Sequence, residues 1–321
     1  LLSFYKKIKQ ADSLAQKAWD TKYIKREIQE IAYSQKLKHN ELLNSIFVPE
    51  SIRRFIYKNI RGVITYSGTV WGKDITLTLN LMNDKQFNEL AKIDKLARRM
   101  FVWLYFIIPY TKKTCSKTLK IACYLCPQKK RLPRAQFTTM GPVHVNSGVS
   151  GACPINGKIC IYREEELFKV FIHETFHAFG LDWSNIHSSN LRDKLKNLFP
   201  IVSDMEVSET YTEFWSNIFN CLFTAFYLRD DKNNEENFLL YAEYCIYFEQ
   251  MFSLFQCVKI LKFMGLKYTH LYNTDNISIQ CRNALFKEKD THVFSYYILK
   301  CILLFNYSDF FDWCKKNNCN T

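Results

Sequence analysis

The sequence is short of the residues that separate modules. Only nine glycines and seven prolines occur in 321 residues, and no Ser-, Gly- or Pro-rich stretch interrupts the chain. A mobile hinge between independent domains is therefore not expected. No apolar run is long enough to cross a bilayer: 101–109 is too short, and Lys300 breaks the stretch 293–305. The opening residues lack the charged segment, apolar core and small-residue cleavage site of a secretory leader, so a cytoplasmic and not a secreted protein is expected. A second C-x-x-C pair to accompany Cys123-Tyr124-Leu125-Cys126 is missing at zinc-finger spacing. The twelve cysteines are otherwise scattered and are expected as reduced thiols. Histidine is scarce too, at seven residues, so a histidine pair at ligand spacing carries weight.

Apolar and basic residues are abundant. A hydrophobic content of 48% with 16% aromatics can bury a large core in one elaborate domain or two closely packed ones. The net charge of +13 is uneven: residues 1–150 hold 27 Lys and Arg against 10 Asp and Glu, which makes that part +17 and the remainder −4. Clusters such as Arg53-Arg54, Arg98-Arg99 and Lys129-Lys130-Arg131 offer a surface for an anionic partner, whether nucleic acid or acidic protein. No recognised nucleic-acid module accompanies them.

The segment His173-Glu174-Thr175-Phe176-His177 is an H-E-x-x-H motif. On a helix, residues four apart share a face, so His173 and His177 can direct both imidazoles at one zinc ion while Glu174 serves as general base toward a water. Leu167, Phe168, Val170, Phe171, Ile172, Phe176, Ala178 and Phe179 wrap most of the circumference, which predicts a buried helix. Buried imidazoles need partners, and a shared metal supplies one to each; hydrogen bonds to protein groups are the alternative. Glu164, Glu165 and Glu166 suit the helix N-terminus and Gly180 its C-terminal cap.

A catalytic zinc usually takes three protein ligands and keeps one position open. Two candidates for the third follow the motif. Asp182 reaches the metal if the chain folds back after Gly180. The other candidate is Glu209, on a segment whose apolar stripe Val207, Tyr211, Phe214, Trp215, Ile218, Phe219, Leu222 and Phe226 leaves Glu209 and Glu213 together on another face. Glu209 could then bind zinc, and Glu213, one turn on, could accept the outer N–H of a ligand histidine.

Through His173-Glu174-x-x-His177 and Glu209-x-x-x-Glu213 the chain resembles gluzincin-like zinc metallopeptidases over roughly 118–226. The position that completes the metzincin motif with a third histidine is Trp183 here, and Glu213 stands where the thermolysin-like pattern has Asp. The chain is also similar to an uncharacterised zincin-like family of large nucleocytoplasmic DNA viruses, through Val145-Asn146-Ser147-Gly148, the run 168–177 and the run 209–215. The resemblance implies a polypeptide substrate, one catalytic Zn2+, and a location in the virion or the infected-cell cytoplasm. It further implies an oxyanion donor from the downstream helical part, where Tyr296, Tyr297, His270 and His292 are available, with Tyr297 expected in the role. A catalytically silent scaffold of the same shape, binding anionic partners through its basic half, is the competing expectation.

The expected fold class is α+β and zincin-like: a mixed sheet with the motif helix, then a mainly helical part. Residues 1–60 read as a basic helical segment, 61–182 as the α/β part and 183–321 as the helical part. Helix is predicted over 3–46, 51–59 and 84–106, the last capped by Asp84. Strands are predicted at 63–66 and 75–80, joined through a Ser-Gly turn, and at 118–125, 143–146 and 158–162. An edge strand for extended substrate is expected at 144–148 or 158–162. Later helices are expected near 206–228, 235–263, 280–288 and 291–306.

Overall fold

The computed structural model describes residues 1–30, 41–183 and 189–318. Its order is α1 (Leu2–Asp20), β1 (Lys25–Glu30), α2 (Glu50–Asn59), β2 (Gly62–Val70), β3 (Lys73–Leu81), α3 (Asp84–Asn88), α4 (Leu90–Ile107), β4 (Thr118–Tyr124), α5 (Pro142–Val145), β5 (Gly148–Ser150) and β6 (Asn156–Ile161). Then come α6 (Leu167–Phe179), α7 (Ser189–Leu198), α8 (Val207–Tyr227), α9 (Glu235–Phe263), α10 (Asn276–Leu285), a π-helical turn (Phe294–Leu299), α11 (Lys300–Phe305) and α12 (Tyr307–Asn318). The chain is α+β. No helix among the described residues is long and apolar enough to cross a membrane.

Six strands form one mixed sheet in the order β1-β2-β3-β4-β6-β5. β1, β2 and β3 are antiparallel neighbours, β3, β4 and β6 run parallel, and β5 returns antiparallel to β6 at the edge. Alternation along the strands decides what each face meets. Ile121 and Cys123 of β4 and Ile159 and Ile161 of β6 join the main core with α1, α4, α6 and α8. Ala122, Tyr124 and Cys160 face the other way, onto Ile52 and Ile56 of α2. Fully buried Trp103 of α4 sits in the main core, stacked on Phe106 and Phe176, and its indole N–H donates to Thr175 of α6 at 2.8 Å. A third cluster joins the C-terminal half of α9 to Phe286, Phe294 and Ile298.

Several expectations need correction. The predicted helix over 3–46 ends at Asp20, and Lys25–Glu30 is a strand paired with β2; residues 31–40 lie outside the described set. Pairing with an open sheet edge overrides the weak local preference of Lys-Arg-Glu-Ile-Gln-Glu, whose charges suit an edge strand. β2 runs straight through Ser67-Gly68 to Val70, and the hairpin closes at Trp71-Gly72, both with positive φ. Asn83, one residue before Asp84, supplies the cap by accepting from the Gln86 N–H at 3.0 Å, and the predicted helix is split in two at Glu89. Residues 142–145 form a helical turn instead of a strand, because Pro142 starts it and His144 Nδ1 accepts from the Gly141 N–H at 3.1 Å. The edge strand is therefore β5, and Lys158 to Ile161 is internal.

Candidate metal centre and its cleft

Helix α6 is held rigidly at its C-terminus. Gly180 takes φ +67°, and the amides of Gly180 and Leu181 bond back to His177 and Phe176 at 3.0 and 2.8 Å. The remaining end carbonyls find partners outside the helix: Ser116 Oγ donates to Ala178 O at 2.7 Å, and the Cys153 amide to His177 O at 2.9 Å. Cys115 and Cys153 form a disulfide packed against Gly180, where an added Cβ would lie 3.1 Å from Cys153 Cβ. The expectation of uniformly reduced thiols is thus corrected for this pair, whose members meet only through the third dimension. Cys123 and Cys126 are buried free thiols with no metal-ligand cluster around them among the described residues.

With α6 fixed and α8 packed against it, His173, His177 and Glu209 converge, their ligand atoms all within 4.8 Å of one another. The two Nε2 atoms are 3.1 Å apart, and Glu209 oxygens lie 3.3 Å from His173 Nε2 and 3.6 Å from His177 Nε2. Bonds of about 2.0–2.1 Å at tetrahedral angles place ligand atoms about 3.3–3.4 Å apart, so this donor set fits zinc in kind and in spacing.

Outer partners set the tautomers. Glu213 accepts at 3.0 Å from His173 Nδ1 and also pairs with Lys169. Asp182, 1% exposed, lies 2.7 Å from His177 Nδ1. That corrects the reading of Asp182 as an alternative third ligand: the turn after Gly180 brings it to the ring nitrogen facing away from His173 and Glu209. Each imidazole thus gives its N–H to a carboxylate and keeps the Nε2 lone pair for the centre.

The charges are strongly coupled. Burial lowers the pKa of both imidazoles, but hydrogen bonds to Glu209 and Glu213 raise that of His173, and the Glu209 charge and the bond to Asp182 raise that of His177; both end above the ordinary histidine value. Burial pushes Glu209 up, yet the His177 charge and its histidine bonds hold it well below the usual carboxylate range. For Glu213 the Lys169 charge and the His173 bond outweigh burial in the same way. A proton and a metal would compete for the same Nε2 atoms.

The centre opens on a cleft of about 680 Å³, also lined by Glu174, Gly148, Lys130, Tyr296 and Tyr297. Glu174 leans toward β5: Ser150 Oγ donates to its Oε2 at 2.6 Å, and its Oε1 lies where a Cβ on Gly148 would be only 2.6 Å away. Tyr297 faces the charges of Lys130 and Glu166, whereas Tyr296 Oη donates to Glu209 Oε2 at 2.9 Å and its ring meets that of His173 edge-on. Burial and then the Glu209 charge push the Tyr296 phenol well above its ordinary pKa, so it remains a donor. Both tyrosines line the cleft, and Tyr296 is the one bonded to a residue of the donor set. His292 lies with its ring 6.0 Å from that of Tyr296, while His270 accepts from the Lys267 amide in a 3₁₀ turn and does not line the cleft.

No family model matches the chain, and no solved structure matches it. Over 179 residues it is 28% identical to "Uncharacterized protein R210" of Acanthamoeba polyphaga mimivirus, a match covering 52% of this chain and 43% of that protein. The chain thus matches less than half the length of this relative and shares with it a link to viral proteins.

Proposed function

We propose that the chain is a zinc metallopeptidase of the zincin type, an endopeptidase of a large DNA virus acting in the virion or the infected-cell cytoplasm. The observation that carries this reading is the convergence of His173, His177 and Glu209, each imidazole backed by a carboxylate, in a cleft with Glu174 on its wall. Zinc held there would supply Lewis acidity toward a scissile carbonyl and an attacking water. Glu174 is the group to take a proton from water and return it to the leaving amine. Ser150 fixes the carboxylate rotamer through Oε2, and Tyr296 fixes one oxygen of Glu209. β5, as the edge strand beside α6, is the place for an extended substrate to add.

A second reading, a scaffold of the same shape without catalysis, is favoured by the bond from Ser150 that already engages Glu174. The basic residues of 1–150 would then serve an anionic partner. Zinc content and peptide release from a denatured proteome separate the two. The peptidase reading expects one zinc per chain and a loss of hydrolysis of about 10²–10⁴-fold in Glu174→Gln with zinc retained. Native protein without zinc, or hydrolysis unchanged by that substitution, would refute it.

A further inference from the structure

Helix α9 is apolar on two opposite faces. Phe238, Ala242, Ile246, Ser253, Cys257 and Ile260 are buried against the rest of the chain. Facing away are Leu240, Tyr244, Tyr247, Met251, Leu254 and Val258, each between 37% and 65% exposed. Their spacing of four, three, four, three and four residues keeps them within about 40° of one line, the seam of a helix that pairs with another helix. Exposed Tyr241, Phe248 and Phe255 border the seam at seven-residue intervals. Single exposed apolar residues are ordinary, but a continuous stripe along a helix marks a contact surface.

The seam reads the same in both directions. A two-fold axis at the level of Glu249 sets Leu240 opposite Val258, Tyr244 opposite Leu254 and Tyr247 opposite Met251 of a second copy. The same alignment sets Glu236 opposite Lys262. The exposed charges follow suit: Glu235, Glu236 and Glu243 lie toward the N-terminal end, and Lys259 and Lys262 toward the other. Antiparallel pairing brings opposite signs together, whereas parallel pairing opposes like charges. At about 200 Å² per large side chain, the exposed stripe amounts to on the order of 1,000 Å² per chain, against about 800 Å² per partner in a standard stable interface.

We infer that the chain forms a two-fold homodimer through antiparallel pairing of α9 with α9 of a second copy. The interface is isologous, as two-fold symmetry requires. Phe252 and Lys259, at its border, also line the cleft, so the second copy stands at the cleft rim. None of this depends on the metal centre.

Sedimentation equilibrium of the full chain over about 1–100 μM tests the inference. The expected result is a dimer whose dissociation constant rises at least about 100-fold in Tyr247→Glu/Met251→Glu, with unchanged far-UV circular dichroism. Charge reversal at exposed positions gives a second arm that does not endanger folding. Glu236→Lys should weaken the dimer about 3–10-fold, and adding Lys262→Glu should restore it. A wild-type chain monomeric throughout, a dimer indifferent to the seam substitutions, or no rescue by the paired reversal would overturn the inference. So would a monomer that floats with phosphatidylcholine vesicles unless the seam is substituted, which would give the stripe to a membrane surface.

Discussion

Asp182 Oδ2 lies 2.7 Å from Nδ1 of His177, five residues earlier, and this contact decides which ring nitrogen is left for a metal. An ionised carboxylate only accepts, so Nδ1 carries the proton and Nε2 keeps its lone pair toward His173 and Glu209. Asp182→Asn should therefore weaken zinc binding by about 10–100-fold, while Glu209→Ala should abolish it. Competition with a chromophoric chelator measures both. The opposite order of effects would make Asp182 the ligand.

Glu213 serves two largely enclosed partners at once, the Lys169 ammonium and the His173 ring. Side-chain exposures of 13% for Lys169 and 12% for Glu213 leave little water to replace a lost partner. Glu213→Gln should cost about 3–5 kcal/mol by stranding the ammonium, more than it costs through the imidazole. Pairing it with Lys169→Met should recover part of that loss. Urea unfolding of the two variants checks the order, and an equally destabilised double variant would contradict the account.

The direction of the histidine shifts sets a pH dependence. Because both folded-state pKa values lie above 6.5, the stability contributed by the charged imidazoles is complete below that value and is lost as pH rises through the raised one. Metal binding requires the neutral rings, so it runs the other way. Zinc affinity should fall by about tenfold per pH unit for each proton displaced as pH drops through the raised values. Calorimetry in two buffers of different ionisation enthalpy should give different observed heats, reporting proton release on binding; identical observed heats in the two buffers would count against it.

Features with a local cause are legible in the sequence, and those made by distant chain are not. The His173 and His177 strip and the shared face of Glu209 and Glu213 follow from periodicity alone. The role of Asp182 depends on how tightly the chain turns after Gly180, which no periodicity reports. Tyr296 and Tyr297 lie in a π-helical turn, whose extra width a 3.6-residue period does not report. β1 exists because β2 offers an edge, and its own residues carry no strand signal. The signal that could have found Ser150 is its place two residues beyond Gly148, on the strand facing Glu174.

Gly148 is required by space. A Cβ there would meet Glu174 Oε1 at 2.6 Å and Val170 Cγ1 at 2.8 Å, and Val170 is fixed in the core. The carboxylate must move in Gly148→Ala, while His177 on the next turn of α6 and Glu209 on α8 stay in place. If the chain is a peptidase, hydrolysis should fall about 10²-fold with zinc content unchanged, since small misplacements of a reacting group have effects of that order. Parallel loss of zinc would show instead that the strain spreads along the helix.

The disulfide between Cys115 and Cys153 closes a loop of 38 residues and braces the end of α6 just beyond His177. A loop of that size corresponds to about 4 kcal/mol of chain entropy removed from the unfolded state. Its neighbours make the contribution local as well, because the amide of Cys153 and the hydroxyl of Ser116 satisfy the last carbonyls of α6. Cys115→Ser/Cys153→Ser should therefore lower the unfolding free energy by about 2–4 kcal/mol and raise amide exchange at Ala178, Phe179 and Gly180 more than in β4 or α8. Adding reductant to the wild-type chain should reproduce both changes, with no effect on the double variant. A wild-type chain whose exchange at these amides ignores reductant would mean that the backbone hydrogen bonds hold the helix end unaided.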